Sequence, residues 1–316
     1  MTATDFKEIE RTIDQVMDEV ETVIIGKRDI IKLVLTSILS NGHVLIDDVP
    51  GVGKTTLAKS LAKALGCSFK RVQFTPDLLP SDVTGTSVFN QKTAEFEFRS
   101  GPIFAQFVLA DEINRATPKT QSSLLECMEE RQVTVDGITH YLPSPFFVIA
   151  TENSVEYHGT YPLPEAQLDR FMMRISVGYP DHKQESQILD SQTVEHPIVN
   201  IKTVLESPKI AELQRGVTGV YLEPSVRDYI VEIVAATRSH PMVLLGASPR
   251  GSLNLSHAAR SLAAISGRDY VMPDDVKALA APILAHRLIL RPETRSHNVT
   301  QTEVVEEMLS AAAVPC

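Results

Sequence analysis

The first 20 residues place Phe6, Ile9, Ile13, Val16 and Val20 at alternating steps of three and four, with acids and Lys7 between them. That spacing predicts an amphipathic helix whose apolar stripe packs on the body of the protein. From residue 30 to residue 178 the pattern becomes one of helices alternating with short apolar runs. Ile30–Leu39 reads as a helix stopped at Asn41-Gly42, and a second helix runs from Lys54 to Leu65, closed by Gly66. His43–Ile46, Phe69–Phe74, Phe107–Ala110, Phe146–Ala150 and Met172–Val177 read as buried strands. Apolar strands separated by helices predict a parallel sheet covered on both faces.

Two stretches depart from that rhythm. Thr86–Phe98 sets Val88, Phe89, Phe96 and Phe98 around a polar turn, and Arg131–Leu142 leads Val133 and Val135 into Asp136-Gly137. Both predict β-hairpins inserted between core elements. Past residue 190 the strand runs stop, and Gln192–Lys202 reads as a connector. Helices open at Pro224-Ser225, reaching about Thr237, at Pro249, running through Ile265, and at Pro273, with a fourth over Glu303–Leu309. The expected architecture is an α/β unit with an N-terminal helix over residues 1–204, followed by an all-α unit over 205–316.

Composition narrows the setting. The chain has 316 residues, 43% of them hydrophobic, enough to bury real cores. No apolar run approaches the roughly 18 residues that cross a bilayer, and the charged N-terminus has no signal-peptide core. Thirty basic residues against 40 acidic ones give a net charge of −10, which argues against sequence-independent binding to nucleic acid or an anionic membrane. Cys67, Cys127 and Cys316 are odd in number and far apart, as expected of packing residues in a reducing cytoplasm rather than of a disulfide framework or zinc site.

The chemistry sits at the ends of the expected strands. Asp48-Val-Pro-Gly-Val-Gly-Lys-Thr55, between a strand and a helix, nearly matches the P-loop pattern G-x-x-x-x-G-K-[ST]. Gly53, Lys54 and Thr55 are in place, while Asp48 stands where the first Gly belongs; Asp is among the few residues that tolerate left-handed backbone. A bare GK[ST] arises by chance in roughly one chain in ten of this length, and Gly51 lowers that to roughly one in a hundred. Backbone N–H groups at a helix start would cradle phosphate, with Pro50, Gly51, Val52, Gly53 and Thr56 around it, Lys54 on the β/γ oxygens and Thr55 on Mg²⁺. The run Phe107-Val-Leu-Ala-Asp-Glu112 ends in two acids at the edge of a parallel sheet where ligands bind. Asp111 suits the Mg²⁺ shell, and Glu112 suits activation of the attacking water of an ATP hydrolase. Asn153 follows the next strand, where an amide can reach both water and γ-phosphate.

The strings VPGVGKTTLAKSLA, VLADEINRATPKTQSSLLECMEERQVTV, FFVIATENSVEYHGTYPLPEAQLDRFMMRI and SPRGSLNLSHAARSLA together resemble the MoxR family of AAA+ ATPases, over nearly the whole chain. The resemblance implies that the two hairpins are a helix-2 insertion and a pre-sensor hairpin. It also implies a helical lid and assembly into a ring, usually a hexamer, with ATP between neighbouring subunits. It makes Asn153 sensor 1, Arg170 the arginine finger given to a neighbour's ATP, with Arg174 as the alternative, and Arg250 sensor 2, tying the lid to γ-phosphate. Ile24, Ile25 and Gly26 match the segment lining the adenine pocket; Asn114 and Arg115 sit where a switch or intersubunit contact can act. Family members resemble chaperones that mature partner complexes, often with von Willebrand A domain proteins. A nucleic-acid translocase and a nucleotide-gated scaffold with little turnover stay open beside that reading. Thr86–Phe98 offers only Lys92 as a base against Glu95 and Glu97, which weighs against the translocase.

Overall fold

The computed structural model describes residues 3–153, 159–191, 196–293 and 298–315; Cys316 and part of the expected connector lie outside them. Helices α1 (Ala3–Glu21) and α2 (Arg28–Leu39) lead into β1 (Val44–Asp47), α3 (Lys54–Ala64) and β2 (Phe69–Gln73). A short α4 (Pro80–Thr84) precedes the hairpin β3–β4 (Gly85–Asn90, Glu95–Ser100). Next come β5 (Phe107–Asp111), α5 (Pro118–Glu130), the hairpin β6–β7 (Gln132–Val135, Ile138–Tyr141) and β8 (Phe147–Glu152). The elements α6 (Glu165–Leu168), β9 (Met173–Ile175) and α7 (His182–Ser191) follow. The rest is helical: α8 (Ser207–Val217), α9 (Pro224–Ser239), α10 (Pro249–Ile265), α11 (Pro273–Leu284) and a closing helix Gln301–Ala311. One small antiparallel ribbon, β10 (Val243–Leu245) with β11 (Ile289–Leu290), lies among them, although the sequence pattern predicts no strand there.

Five strands form one parallel sheet in the order β2-β5-β8-β1-β9. The central strands β5 and β8 are buried along almost their whole length because both faces are covered, whereas edge strand β2 exposes Lys70 and Arg71. The two-residue period of the strands divides them: Val44, Ile46, Leu109 and Ile149 join a core with α1, α2, α3 and the C-terminal helices. Leu45, Val108, Ala110 and Val148 join a second core with Leu124, Leu125 and Met128 of α5. Parallel pairing brings all the strand ends to one edge, and the register levels them, Asp47 with Glu152 and Gln73 with Asp111. That level edge positions the site.

The stripe of α1 is buried, with Phe6, Ile9, Ile13, Val16 and Val20 all at most 2% exposed. It packs on α3 below the P-loop position and on α10 of the C-terminal helices. Both expected hairpins form and are joined by a ring stack, Phe98 over His140 with centroids 3.9 Å apart.

Candidate active site

The turn after β1 is open on the cavity side. Gly51 (φ 87°) and Gly53 (φ 89°) occupy left-handed backbone, and a side chain at either would meet no atom within 4 Å. These two positions need glycine for conformation and leave room for a ligand. Lys54 opens α3, and its Nζ donates to the carbonyls of Asp48 (2.6 Å) and Glu152 (2.8 Å). Burial lowers the Lys54 pKa, while the carboxylates of Asp48 and Asp111 oppose the shift.

Asp48 does not use the left-handed backbone expected of it; it is absent from the positive-φ residues. Its carboxylate turns away from the cavity and accepts from Gly178 N–H (2.7 Å), Ser176 Oγ (2.8 Å) and Val49 N–H (2.8 Å). Burial pushes its pKa up, and these donors outweigh the burial and hold it below the usual range. The charge that would oppose phosphate is thus spent on the segment after β9.

Pro50, Gly51, Gly53, Lys54, Thr55, Thr56, Asp111, Glu112, Thr151 and Asn153 line one cavity of about 320 Å³. Three segments therefore converge, and they are the three expected from the strand ends. Asp111 accepts from Thr151 Oγ1 (2.6 Å), Arg71 Nε (2.9 Å) and Thr55 Oγ1 (3.4 Å). Glu112 takes up left-handed backbone at φ 56°, a conformation that costs a non-glycine residue energy and marks functional turns. Its carboxylate accepts from Gln73 Nε2 (2.8 Å) and Arg115 (3.1 Å), and its N–H donates to Thr151 Oγ1 (2.8 Å). Sequence reasoning missed Gln73, Arg71 and Thr151; the signal available was the position of Gln73 and Thr151 at strand ends level with Asp111, while Arg71 stands two residues back along β2. Val52 packs against the larger core. Ile24, Ile25 and Gly26 do not line this cavity; Ile24 is buried, and Gly26 (φ 69°) abuts Gln184 of α7.

The arginines lie elsewhere. Arg170 and Arg250 share a separate cleft of about 720 Å³ with Glu129, Arg131 and Arg215. Arg250, at the start of α10, pairs with Glu129 and stands 3.9 Å from Asp169. Within one chain it does not line the Lys54 cavity, because the helix that carries it docks on α5 and the Asp169 turn instead. Among the described residues the Arg170 guanidinium makes no side-chain hydrogen bond or ion pair. Arg174, the middle residue of β9, pairs with Asp47 and lines neither space. That pair leaves Glu152 beside Asp47, and burial with that like charge pushes its pKa up to about 7, against the pull of Arg174 and Lys54.

Comparison with known proteins agrees with this fold. Residues 43–173 match the model of the ATPase family associated with various cellular activities (AAA), and residues 235–308 match the AAA lid domain. The chain is 53% identical to protein YeaC of Bacillus subtilis, over 96% of this chain and 95% of that one. It is 42% identical to Chaperone MoxR1 of Mycobacterium tuberculosis, over 96% of this chain and 82% of that one. With Protein MoxR of Paracoccus denitrificans it shares 33% over 85% and 86% of the two chains. The chain belongs to the MoxR family of AAA+ ATPases. A crystal structure from Cytophaga hutchinsonii, provisionally described as an ATPase, is 39% identical with a TM-score of 0.92, covering 98% of this chain and 97% of that one. That likeness takes in both the five-stranded parallel sheet and the helical lid of this chain.

Proposed function

We propose that this MoxR-family protein hydrolyses Mg²⁺-bound ATP at a site shared between neighbouring copies of a ring, expected to be a hexamer, and uses the cycle to remodel protein clients. Residues 1–204 would hold the nucleotide and residues 205–316 form the lid. The observation that carries the reading is the division of groups between two surfaces. Among the described residues no arginine lines the cavity of Lys54, Thr55, Asp111, Glu112 and Asn153, whereas Arg170 and Arg250 stand together in the other cleft.

The residues present fit the nucleotide. The glycine turn offers N–H groups and space for phosphate, and the hydroxyl of Thr55 with the carboxylate of Asp111 forms a pair of hard oxygen donors suited to Mg²⁺. Bound with ATP, that ion would neutralise charge across the β- and γ-phosphate oxygens. Lys54 adds a point charge to the same oxygens. Glu112, oriented by Gln73 and Arg115, would take the proton of the attacking water, and Asn153 would orient that water. Arg170 and Arg250 would approach from the neighbour, where a guanidinium fork matches phosphate oxygens and stays charged. Ile24, Ile25 and Gly26 would meet the adenine. Client recruitment falls to the hairpins, which expose Phe96 (74%) and Tyr141 (78%) at the surface. The name of the Mycobacterium tuberculosis relative supports a chaperone role, and von Willebrand A domain proteins are the partners to try first. The net charge of −10 supports a protein client over a nucleic-acid track.

The test mixes two inactive proteins. Arg170→Ala keeps the cradle and loses the finger, a loss expected to cost about 10³–10⁵ in rate with little change in ATP affinity. Lys54→Ala keeps the finger and loses the cradle. Mixed rings contain interfaces with one good half of each, so ATP turnover should return on mixing. Subunit exchange demonstrated by fluorescence transfer, with no recovery of turnover, would overturn the shared site.

A further inference from the structure

The lid grips the turn that carries Arg170. Arg287, in the 3₁₀ turn after α11, has a side chain only 2% exposed, and its Nε donates to Asp169 Oδ1 at 2.8 Å. Its NH2 donates to the carbonyl of Phe171 (2.6 Å) and its NH1 to the carbonyls of Met172 (3.3 Å) and Ile283. Neighbouring His286 sets its Nε2 3.3 Å from the Phe171 carbonyl. The guanidinium thus wraps the backbone on both sides of residue 170. The second carboxylate oxygen of Asp169 accepts from Ser248 Oγ at 3.2 Å. Ser248 caps α10, accepting from the N–H of Arg250 (3.2 Å). One carboxylate therefore joins the end of one lid helix, the start of another, and the residue next to Arg170.

We propose that Asp169 and Arg287 are positioning residues that lock Arg170 and Arg250 into one rigid unit, so that the lid of a subunit delivers both arginines together to its neighbour's γ-phosphate. The proposal rests on the reading of Arg170 as a finger acting in trans. A buried guanidinium that donates through Nε to one carboxylate oxygen, and through its terminal nitrogens to the carbonyls of Asp169, Phe171 and Met172, fixes the geometry of the turn, which a planar set of donors does better than a flexible ammonium. Loss of either partner leaves Arg170 on a looser turn, and a displacement of about 1 Å at a reacting group can cost about 10²-fold in rate.

The experiment uses the assembled full-length protein and three variants: Asp169→Asn, Arg287→Lys and Arg170→Ala. Asp169→Asn and Arg287→Lys should each lower kcat for ATP by 10- to 100-fold, with KM and the Kd of a fluorescent ATP analogue within threefold of the parent. Mixing decides their place. Each should recover turnover with Lys54→Ala subunits, and neither should recover with Arg170→Ala, because all three spoil the same half of the interface. If Arg170→Ala itself turns over at the parent rate, the finger reading has failed. If Arg170→Ala is inactive while both other variants keep parent kcat, the positioning proposal alone has failed. A pair of variants that raise KM more than tenfold, or that are rescued by Arg170→Ala, also overturns it. Should Asp169→Asn not assemble, Arg287→Lys, which keeps the buried charge, decides by the same measures.

Discussion

In the proposed reaction Glu112 is the side chain that takes up the proton of the attacking water. Its carboxylate is held by Gln73 and Arg115, and its backbone by Thr151, so the group is oriented before substrate arrives. Glu112→Gln keeps the shape and hydrogen-bonding size but cannot take up a proton. Turnover should fall by about 10²–10⁴, with ATP affinity preserved; parallel measurement of turnover and nucleotide Kd checks this, and a parent rate would move the base elsewhere. Glu152 supplies a different prediction. Its pKa is raised to about 7 in the folded chain, from 4.5 for the free side chain. The folded state therefore binds the proton more tightly, so the neutral form stabilises the fold below pH 4.5, and that contribution drains away as pH rises to about 7. Glu152→Gln should match the parent in stability near pH 5 and exceed it by about 1–3 kcal/mol at pH 8. Denaturant titrations at the two pH values would show it, and an equal difference at both would remove the buried charge as the cause.

Among elements, those with clean periodicity were legible and those built around polar contacts were not. The α1 stripe, the strands of the sheet, both hairpins and the helix Pro249–Ile265 follow directly from apolar spacing and turn residues, although β2, expected to be buried, buries only Val72. The helix α5 does not: PKTQSSLLECMEE holds few apolar residues, and it buries Thr120 and Gln121 as well. Gln121 Nε2 donates to the carbonyls of Ile113, Ala116 and Tyr161, bridging the loop after Glu112 to the chain beyond the third strand end. Such a residue reads as solvent-facing until its partners are known, although Pro118 after Thr117 was a helix-start signal. Helix α7 buries no residue at all, so no stripe announces it. The ribbon β10–β11 pairs segments more than 40 positions apart, and two or three residues carry too short a pattern to read. The cavity itself was legible because its residues stand at strand ends in contiguous motifs. The grip of Arg287 on Asp169 was not, since nothing local in either segment points to the other.

In the molecule as a whole, two units share one continuous core. Helix α1 packs on both α3 and α10, so the helix beginning at Lys54 and the helix beginning near Arg250 rest on the same apolar stripe. The lid also meets the sheet through α11 on β9. Against that rigid frame, the separation of the Lys54 cavity from the Arg170 cleft has a consequence for abundance. On the proposed shared site, a lone copy would hold a cradle without a finger and a finger without a cradle. Turnover per chain should therefore rise with total protein and level off once rings are complete. Well below that level, the total rate should climb at least as the square of the amount present. Steady-state assays over a dilution series check this; a rate strictly proportional to protein at every dilution would put all the catalytic groups in one chain. A cell in which the protein is scarce would then lose almost no ATP to it, and doubling the supply would more than double the work done.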